Sequence, residues 1–458
     1  PLYDVNGSIT VTATDTLDIR PGEQLTFIDG TGALDLVING CLLAVGAPAD
    51  SVVFTADPPT PGSWAGLQFE DTAAGSGFQL SYCVVAFAHT AVDIYGADVL
   101  IEHSALRRNL DKALEFGNAA GEIRACVFRH NEQRTITMTL SSSPLIEDCL
   151  FEDNNRENEH PYPYINIGLQ GNNSPTLRGN QIYGSGHEMS GGIAVWNACA
   201  GLFEDNMIEG CGYGILCYQF DANPTIKDNV LVDNNIHPDT LNWGFGIACN
   251  GQNAPLIVGN VISGHGYGVA LINGTQPNLG DLVNDFPGDD GMNQFLGNGL
   301  GDTFYELYNN TSNDIMAQNN WWGTADAGEV EDRIVHQVDD PALGLVNYIP
   351  YLETTAVGDQ PPLATTAVLI TARAYPNPFN PRVTVAFTLQ RDAIVTVRIH
   401  DAGGRLVREL GGGSFAVGDH TLVWNGADHA GRATASGTYF YRIVAGTEAV
   451  TGKMVLVR

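Results

Sequence analysis

The side chains best suited to chemistry in this chain are few and widely spaced. The segment 278–294 (NLGDLVNDFPGDDGMNQ) carries Asp281, Asp285, Asp289 and Asp290, whose oxygens suit a hard cation such as Ca²⁺. The spacing is not that of an EF-hand loop, and a solvated acidic loop has the same composition. Arg107, Arg108, Arg124, Arg129 and Arg134 lie close in sequence to Glu102, Glu122, Glu132 and His130, a pattern expected to form one charged face of solvated ion pairs. Lysine occurs only at 112, 227 and 453, so an amine base has few sources. Flat rings on an outward face are the groups that stack on sugars. Trp196 and Tyr218, with the nearby loop residues Tyr162, Tyr164 and Tyr183, are the candidate glycan contacts.

What must position these residues is a repeat. SPLIEDCLFEDN (143–154), SPTLRGNQIYGS (174–185), AGLFEDNMIEGC (200–211), NPTIKDNVLVDN (223–234) and APLIVGNVISGH (254–265) align on one anchor position. That anchor is Cys149, Asn180, Asn206, Asn229 and Asn260, and weaker upstream copies add Cys83, Ser104 and Cys126. The intervals from Cys83 are 21, 22, 23, 31, 26, 23 and 31 residues. Between anchors runs a second short strand: GGIAV (191–195), GYGIL (212–216), GFGIA (244–248) and GYGVA (266–270). Constant strands with variable spacing predict a parallel β-solenoid of about 12 coils, extra residues leaving as loops.

In such coils the anchors form an inward ladder of Asn180, Asn206, Asn229 and Asn260, because asparagine tolerates a left-handed turn and its amide bonds the coils above and below. Cys83, Cys126 and Cys149 are then buried small residues of the same column, and Cys217 and Cys249 a thiol stack. Cys199 and Cys211, near loops, are the remaining disulfide candidates. Strict alternation from Ile193, Val195, Ile215 and Cys217 places Trp196 and Tyr218 outward on neighbouring coils. It places Tyr213, Phe245 and Tyr267 inward.

Hydrophobic residues make up 44% of the chain, enough for a large core. The net charge of −31, from 21 Lys+Arg against 52 Asp+Glu, repels nucleic acid and anionic surfaces and disfavours acidic polysaccharides unless a cation bridges them. No apolar run reaches the ~18 residues of a membrane span. The start at Pro1, without Met or an apolar leader, is what removal of a signal peptide leaves.

Several segments resemble known families. LDIRPGEQLTF (17–27), LVINGCLLAVG (36–46), SVVFTAD (51–57) and GSWAGLQF (62–69) are similar to the opening coils of right-handed parallel β-helix proteins of the pectate-lyase type. AQNNWWGTADAGEVEDRIVHQVDDPALGLVNYIPYL (317–352) resembles the closing coil and cap of NosD-like β-helix proteins, with Trp321 and Trp322 covering the last coil. A capping helix is expected within 326–337, begun by Asp326 or Thr324. The Gly-His-Gly at 264–266 is similar to a polygalacturonase motif, but the Asn-Thr-Asp and Arg-Ile-Lys partners of that motif do not occur. His265 is therefore expected to be a turn residue.

A linker over 353–371 separates the solenoid, 1–352, from a different pattern over 372–458. There AYPNPFNPRVTVAFTL, DAGGRLVREL, GDHTLVWNGADHAGR, ASGTYFYRI and GKMVLVR resemble the FlgD Ig-like family and the related type IX secretion sorting domains. The resemblance implies a small Ig-like sandwich that addresses the chain to the type IX machinery, and hence an extracellular or outer-surface location on a Gram-negative-type bacterium.

The fold expected is all-β: a right-handed parallel β-helix followed by an Ig-like sandwich. The function expected is non-catalytic, in adhesion, glycan contact or an extracellular matrix, with a surface polysaccharide as partner and no cofactor beyond Ca²⁺ at the acidic loop. A self-assembling subunit, joined through solenoid ends or a strand lent by 353–371, is the second expectation. A polysaccharide lyase or hydrolase is the third, disfavoured because no paired catalytic set recurs at one coil position.

Overall fold

Short β-branched runs separated by left-handed turns cannot bury their apolar face alone, so in the computed structural model of the chain they stack coil upon coil. The structure describes residues 1–28, 32–70, 78–168, 170–239, 242–354, 369–389, 393–401, 406–416, 418–429, 431–445 and 448–457. The chain divides into two compact units, Pro1–Ala356 and Val357–Arg458. The expected linker, 353–371, falls largely outside the described residues, and with it the strand it was expected to lend.

The first unit is a right-handed parallel β-helix. Its coils feed three parallel sheets of 12, 13 and 10 strands among the described residues, and each strand pairs with the equivalent strand of the next coil. The core is a continuous column of inward side chains, including Phe27, Phe54, Phe128, Phe151, Ile208 and Ile262, all fully buried. Phe128 and Phe151 stack with ring centroids 4.7 Å apart.

The asparagine ladder is present and longer than expected. Nδ2 of Asn180 donates to Oδ1 of Asn206 (2.9 Å), Asn206 to Asn229 (2.9 Å) and Asn229 to Asn260 (2.9 Å). It continues through Asn293 (3.0 Å) to Asn320 (2.9 Å). Each Oδ1 also accepts the backbone N–H of the preceding asparagine, so every rung is closed on both sides. The left-handed residue is not the asparagine itself. It is the residue before it: Gly179 (φ 63°), Asp205 (56°), Asp228 (54°) and Gly259 (69°). Cys83, Cys126 and Cys149 occupy the same column, their thiols donating to main-chain carbonyls.

A second polar column lines another corner, with Asn109, Asn131 and Asn154 joined by side-chain bonds of 3.0 and 2.8 Å. Beyond a loop excursion it resumes as Cys211, Asn234, His265 and Asn298. Two readings of the sequence change here. Cys199 and Cys211 are separate buried free thiols, because Cys211 faces the column and Cys199 lies in the core beside Asn173 and Ala222. His265 is not merely a turn residue: its ring is buried, accepting from Asn234 N–H at Nδ1 (3.1 Å) and facing the Leu231 carbonyl at Nε2 (3.1 Å).

At the far end Trp322 is fully buried and stacks on Phe295 (4.6 Å, 3°). Asp326 caps a helix as expected, accepting from the Gly328 and Glu329 N–H groups. The helix spans only Ala327–Glu331, shorter than 326–337, because Ile334–Val335 rejoins the thirteen-stranded sheet beside Leu307–Asn310.

The second unit is an antiparallel sandwich. One sheet orders Leu369–Tyr375, Val383–Leu389 and Gly418–Trp424; the other orders Leu406–Phe415, Ala393–Asp401, Gly437–Ala445 and Glu448–Leu456. Alternating Val383, Val385, Phe387 and Leu389 face Val397, Ile399, Ile443 and Met454 across its core. Trp424 is fully buried and its Nε1–H donates to the Ala427 carbonyl (2.8 Å).

Candidate functional site: the outer face of the thirteen-stranded sheet

Trp196 and Tyr218 are register partners on adjacent coils, as expected, with ring centroids 4.9 Å apart. They form one edge of a longer aromatic surface. Tyr213 meets Trp243 (5.5 Å), Phe245 meets Tyr267 (5.5 Å), and Tyr267 meets Tyr305 (5.0 Å) and Tyr308 (5.4 Å). A cleft of about 210 Å³ opens among Trp196, Tyr213, Leu216, Trp243 and Phe245.

Tyr213, Phe245 and Tyr267 therefore belong to the outer face, not the core. Phe245 and Tyr267 pack with Ala248, Ala270 and Leu216, apart from the interior. Alternation fails because two successive residues face inward at this corner. A Cβ on Gly246 would lie 2.6 Å from Ile262 Cγ2 and 2.7 Å from the His265 ring, both interior groups, while the next residue, Ile247, is also in the core. The glycine absorbs the extra inward turn, and the aromatic before it is flipped out.

Tyr164 and Tyr183 leave the candidate set. Tyr164 is fully buried, occupying the rung position that Gly192 holds one coil on. Its hydroxyl accepts from Asn154 N–H (3.2 Å) and lies 3.3 Å from the Gly184 carbonyl, filling the gap where the loop 184–190 interrupts the second polar column. Tyr183 lies on Gln181–Tyr183, a strand of the twelve-stranded sheet, and so on another face. Tyr162 stays, half-buried, with the Arg134 guanidinium 4.6 Å above its ring.

Followed toward the N-terminus, the same face turns polar. One column in register reads Gln68, Asp93, Glu115, Thr137, Asn166, Ala194, Leu216, Ala248, Ala270 and Tyr308. Beside it Lys112 Nζ holds Glu115 (2.8 Å) and approaches Asp111 (3.4 Å), which also pairs with Arg134 (2.6 Å). A polar cavity of about 270 Å³ lies among Gln68, His89, Thr90 and Asp93. Burial foremost, helped by neighbouring Glu115 and Glu70 and opposed by Lys112, raises the Asp93 carboxyl to about 6. Two buried oxygens of the column, Thr137 Oγ1 and Asn166 Oδ1, have no hydrogen-bond partner.

So a carboxylate pair does recur at one coil position, contrary to the sequence reading. TAVDIY (90–95) and KALEFG (112–117) are its signal, 22 residues apart, but they lack the glycine pair that marks the later copies.

The arginine cluster is not one face. Arg124 lies on the ten-stranded sheet with Glu122 (3.1 Å) and Glu147 (3.3 Å), Arg129 on the twelve-stranded sheet, and Arg134 on the thirteen-stranded sheet. In the acidic loop Asn284 Nδ2 donates to Asp281 (3.1 Å) and Asp289 (3.0 Å), and Asp289 also accepts from Asn278 (2.7 Å). Among the described residues no group of three or more carboxylate, imidazole or thiol side chains is placed to hold a metal ion.

Residues 162–280 match the model of the right-handed beta helix region, and residues 380–449 match that of the FlgD Ig-like domain. No curated protein matches the chain. Among solved structures, the enzymatically active domain of tailspike protein 2 of bacteriophage CBA120 is similar over 95% of this chain and 72% of that one, at 10% identity and a TM-score of 0.36. Pectate lyase Pel9A is similar over 77% and 75%, at 12% identity and a TM-score of 0.19. PorZ, a surface component of the type-IX secretion system of Porphyromonas gingivalis, is 24% identical over 19% of this chain and only 11% of its own length, with a TM-score of 0.15. Scores this low carry no conclusion about activity.

Proposed function

We propose, for a chain that joins a right-handed β-helix region to a FlgD Ig-like domain, that it acts outside the cell and binds a glycan along the outer face of its thirteen-stranded sheet. The aromatic surface from Trp196 and Tyr218 to Tyr305 and Tyr308 carries this reading. Trp196, Tyr218, Trp243, Tyr267, Tyr305 and Tyr308 are half-buried, with Tyr213 and Phe245 buried among them, so the outer rings are fixed by packing while an edge or one side stays wet, which suits a partner with an apolar sugar face and hydroxyl rim. The net charge of −31 favours a neutral glycan over an acidic one. Affinity electrophoresis in gels cast with xyloglucan, galactomannan, arabinoxylan or mixed-linkage β-glucan is expected to retard the protein in at least one. Trp196→Ala with Trp243→Ala then weakens retention by about tenfold or more, the scale of an aromatic anchor. Unaltered mobility in every gel would sink the reading.

The FlgD Ig-like domain supports export by the type IX route. Removal of 372–458 is expected to leave the protein in the periplasm of a type IX-competent host, scored by protection from protease added to whole cells. Undiminished surface exposure of the shortened chain would instead make the sandwich a spacer.

A further inference from the structure

We propose that the polar end of the same sheet face hydrolyses glycosidic bonds, with Asp93 as general acid and Glu115 as the carboxylate that attacks the anomeric carbon. This rests on the glycan-binding reading of the aromatic end and assigns chemistry to a different set of residues.

The geometry begins with register. Asp93 and Glu115 are partners on adjacent parallel strands and project from the same face. The rung spacing of about 4.8 Å is close to the ~5–5.5 Å carboxyl separation of double-displacement glycosidases. Their surroundings differ in the sense the reaction needs. Glu115 forms an ion pair with Lys112 Nζ at 2.8 Å. Asp93 is half-buried, has no hydrogen bond or ion pair among the described residues, and faces the carboxylates of Glu70 and Glu115. The other charged or titratable groups around it are Lys112 and, across the polar cavity, His89. An ion-paired carboxyl beside one whose burial favours the protonated form divides the roles of nucleophile and proton donor.

A second observation points to a hydroxyl-rich ligand. Thr137, the next rung beyond Glu115, is only 7% exposed, yet its Oγ1 has no partner. Asn166 Oδ1, one rung further, is likewise buried and unpartnered. Buried oxygens without a partner are costly, and a sugar hydroxyl that displaces the groups covering them would satisfy both. The rung of Trp196 lies three steps from that of Glu115, about 14 Å along the sheet. A chain stacked on the aromatic surface therefore reaches the carboxyl pair.

The step balances with water as the co-reactant. Asp93 gives its proton to the glycosidic oxygen as the C–O bond breaks, its electron pair leaving with that oxygen. The Glu115 carboxylate forms a bond to the anomeric carbon. Water then attacks that carbon and passes a proton to the Asp93 carboxylate, and Glu115 departs as the anion. The products are the alcohol of the leaving sugar and a hemiacetal, the new reducing end, with the anomeric configuration retained.

The test uses the full chain and the same four polysaccharides, assayed for new reducing ends between pH 4.5 and 8. The polysaccharide that retards the protein is expected to be cut, with a rate that falls above about pH 6 as Asp93 loses its proton. Asp93→Asn and Glu115→Gln each lower the rate by about 10²–10⁴-fold, while retardation in the gel, which also reports correct folding, persists. Proton NMR of the first product shows the retained anomer. Retardation without new reducing ends, or undiminished cleavage by Glu115→Gln, overturns the hydrolytic assignment and leaves the binding reading standing. Neither retardation nor cleavage overturns both.

Discussion

Asn206→Ala lowers the stability of the solenoid by about 4 kcal/mol, read as the shift in urea midpoint at unchanged slope. The side chain is almost fully buried and takes part in four bonds. Its Nδ2 serves the Leu177 carbonyl (2.9 Å) and Asn229 Oδ1 (2.9 Å), and its Oδ1 receives Asn180 N–H (3.1 Å) and Nδ2 (2.9 Å). Truncation leaves the Asn180 N–H and the Leu177 carbonyl orphaned away from water, at about 1–3 kcal/mol each, and adds a small cavity. Asn206→Cys is the informative partner. Upstream coils already place thiols in this column, where Cys149 Sγ reaches the Ile123 carbonyl of the preceding coil at 3.6 Å. Cysteine fills the space and restores one donor, so its cost is about half that of alanine. Equal losses for the two variants, or less than about 1 kcal/mol for alanine, would remove the ladder as the element that fixes the coils in register.

The ladder also explains what the sequence reveals. A residue that must bond its equivalents above and below cannot drift in register, so Cys149, Asn180, Asn206, Asn229 and Asn260 stand out despite intervals of 23 to 31 residues. Asn293 and Asn320 obey the same rule but are hidden, because the acidic loop separates Asn293 from the strand motif that marks earlier rungs. The sandwich is legible for a similar reason: Val383, Val385, Phe387 and Leu389 alternate without a break.

The candidate site is less legible, since its residues answer to the outer face, which tolerates any side chain. Alternation within one strand places Trp196 and Tyr218. It misplaces Tyr213, Phe245 and Tyr267, because Gly246 and its equivalents turn two residues inward in succession. Tyr164 reads as a loop tyrosine until the missing rung at 184–190 is known, for only that gap gives its hydroxyl a buried partner. Asp93 and Glu115 become a pair only when upstream coils are set in register. Glu306 belongs to the same class: it takes the corner position occupied by Gly268 one coil earlier, and closes the second column by accepting from Asn298 N–H (3.2 Å) with Arg333 at 3.4 Å.

His265 makes that second column sensitive to acid. Its Nδ1 accepts the Asn234 N–H, so it must be unprotonated there, and the Nε2 proton then points at the Leu231 carbonyl. Burial lowers its pKa to about 4, partly offset by the bond to Leu231. A depressed histidine pKa stabilises the fold above the unfolded value near 6.5, and that contribution is lost as pH falls toward 4. The loss amounts to about 3 kcal/mol by pH 4. Asp93 and Glu306, both carrying raised pKa values, act in the opposite sense over the same range, so the parent profile alone does not isolate the imidazole. The difference between the parent and His265→Asn does, because both carboxyls are common to the two proteins and asparagine restores the amide found at Asn234 and Asn298. His265→Asn is therefore expected to gain about 3 kcal/mol relative to the parent between pH 7.5 and pH 4. A difference that stays flat across that interval would mean that the column accepts an imidazolium, and that Asn234 and Leu231 rearrange to hold it.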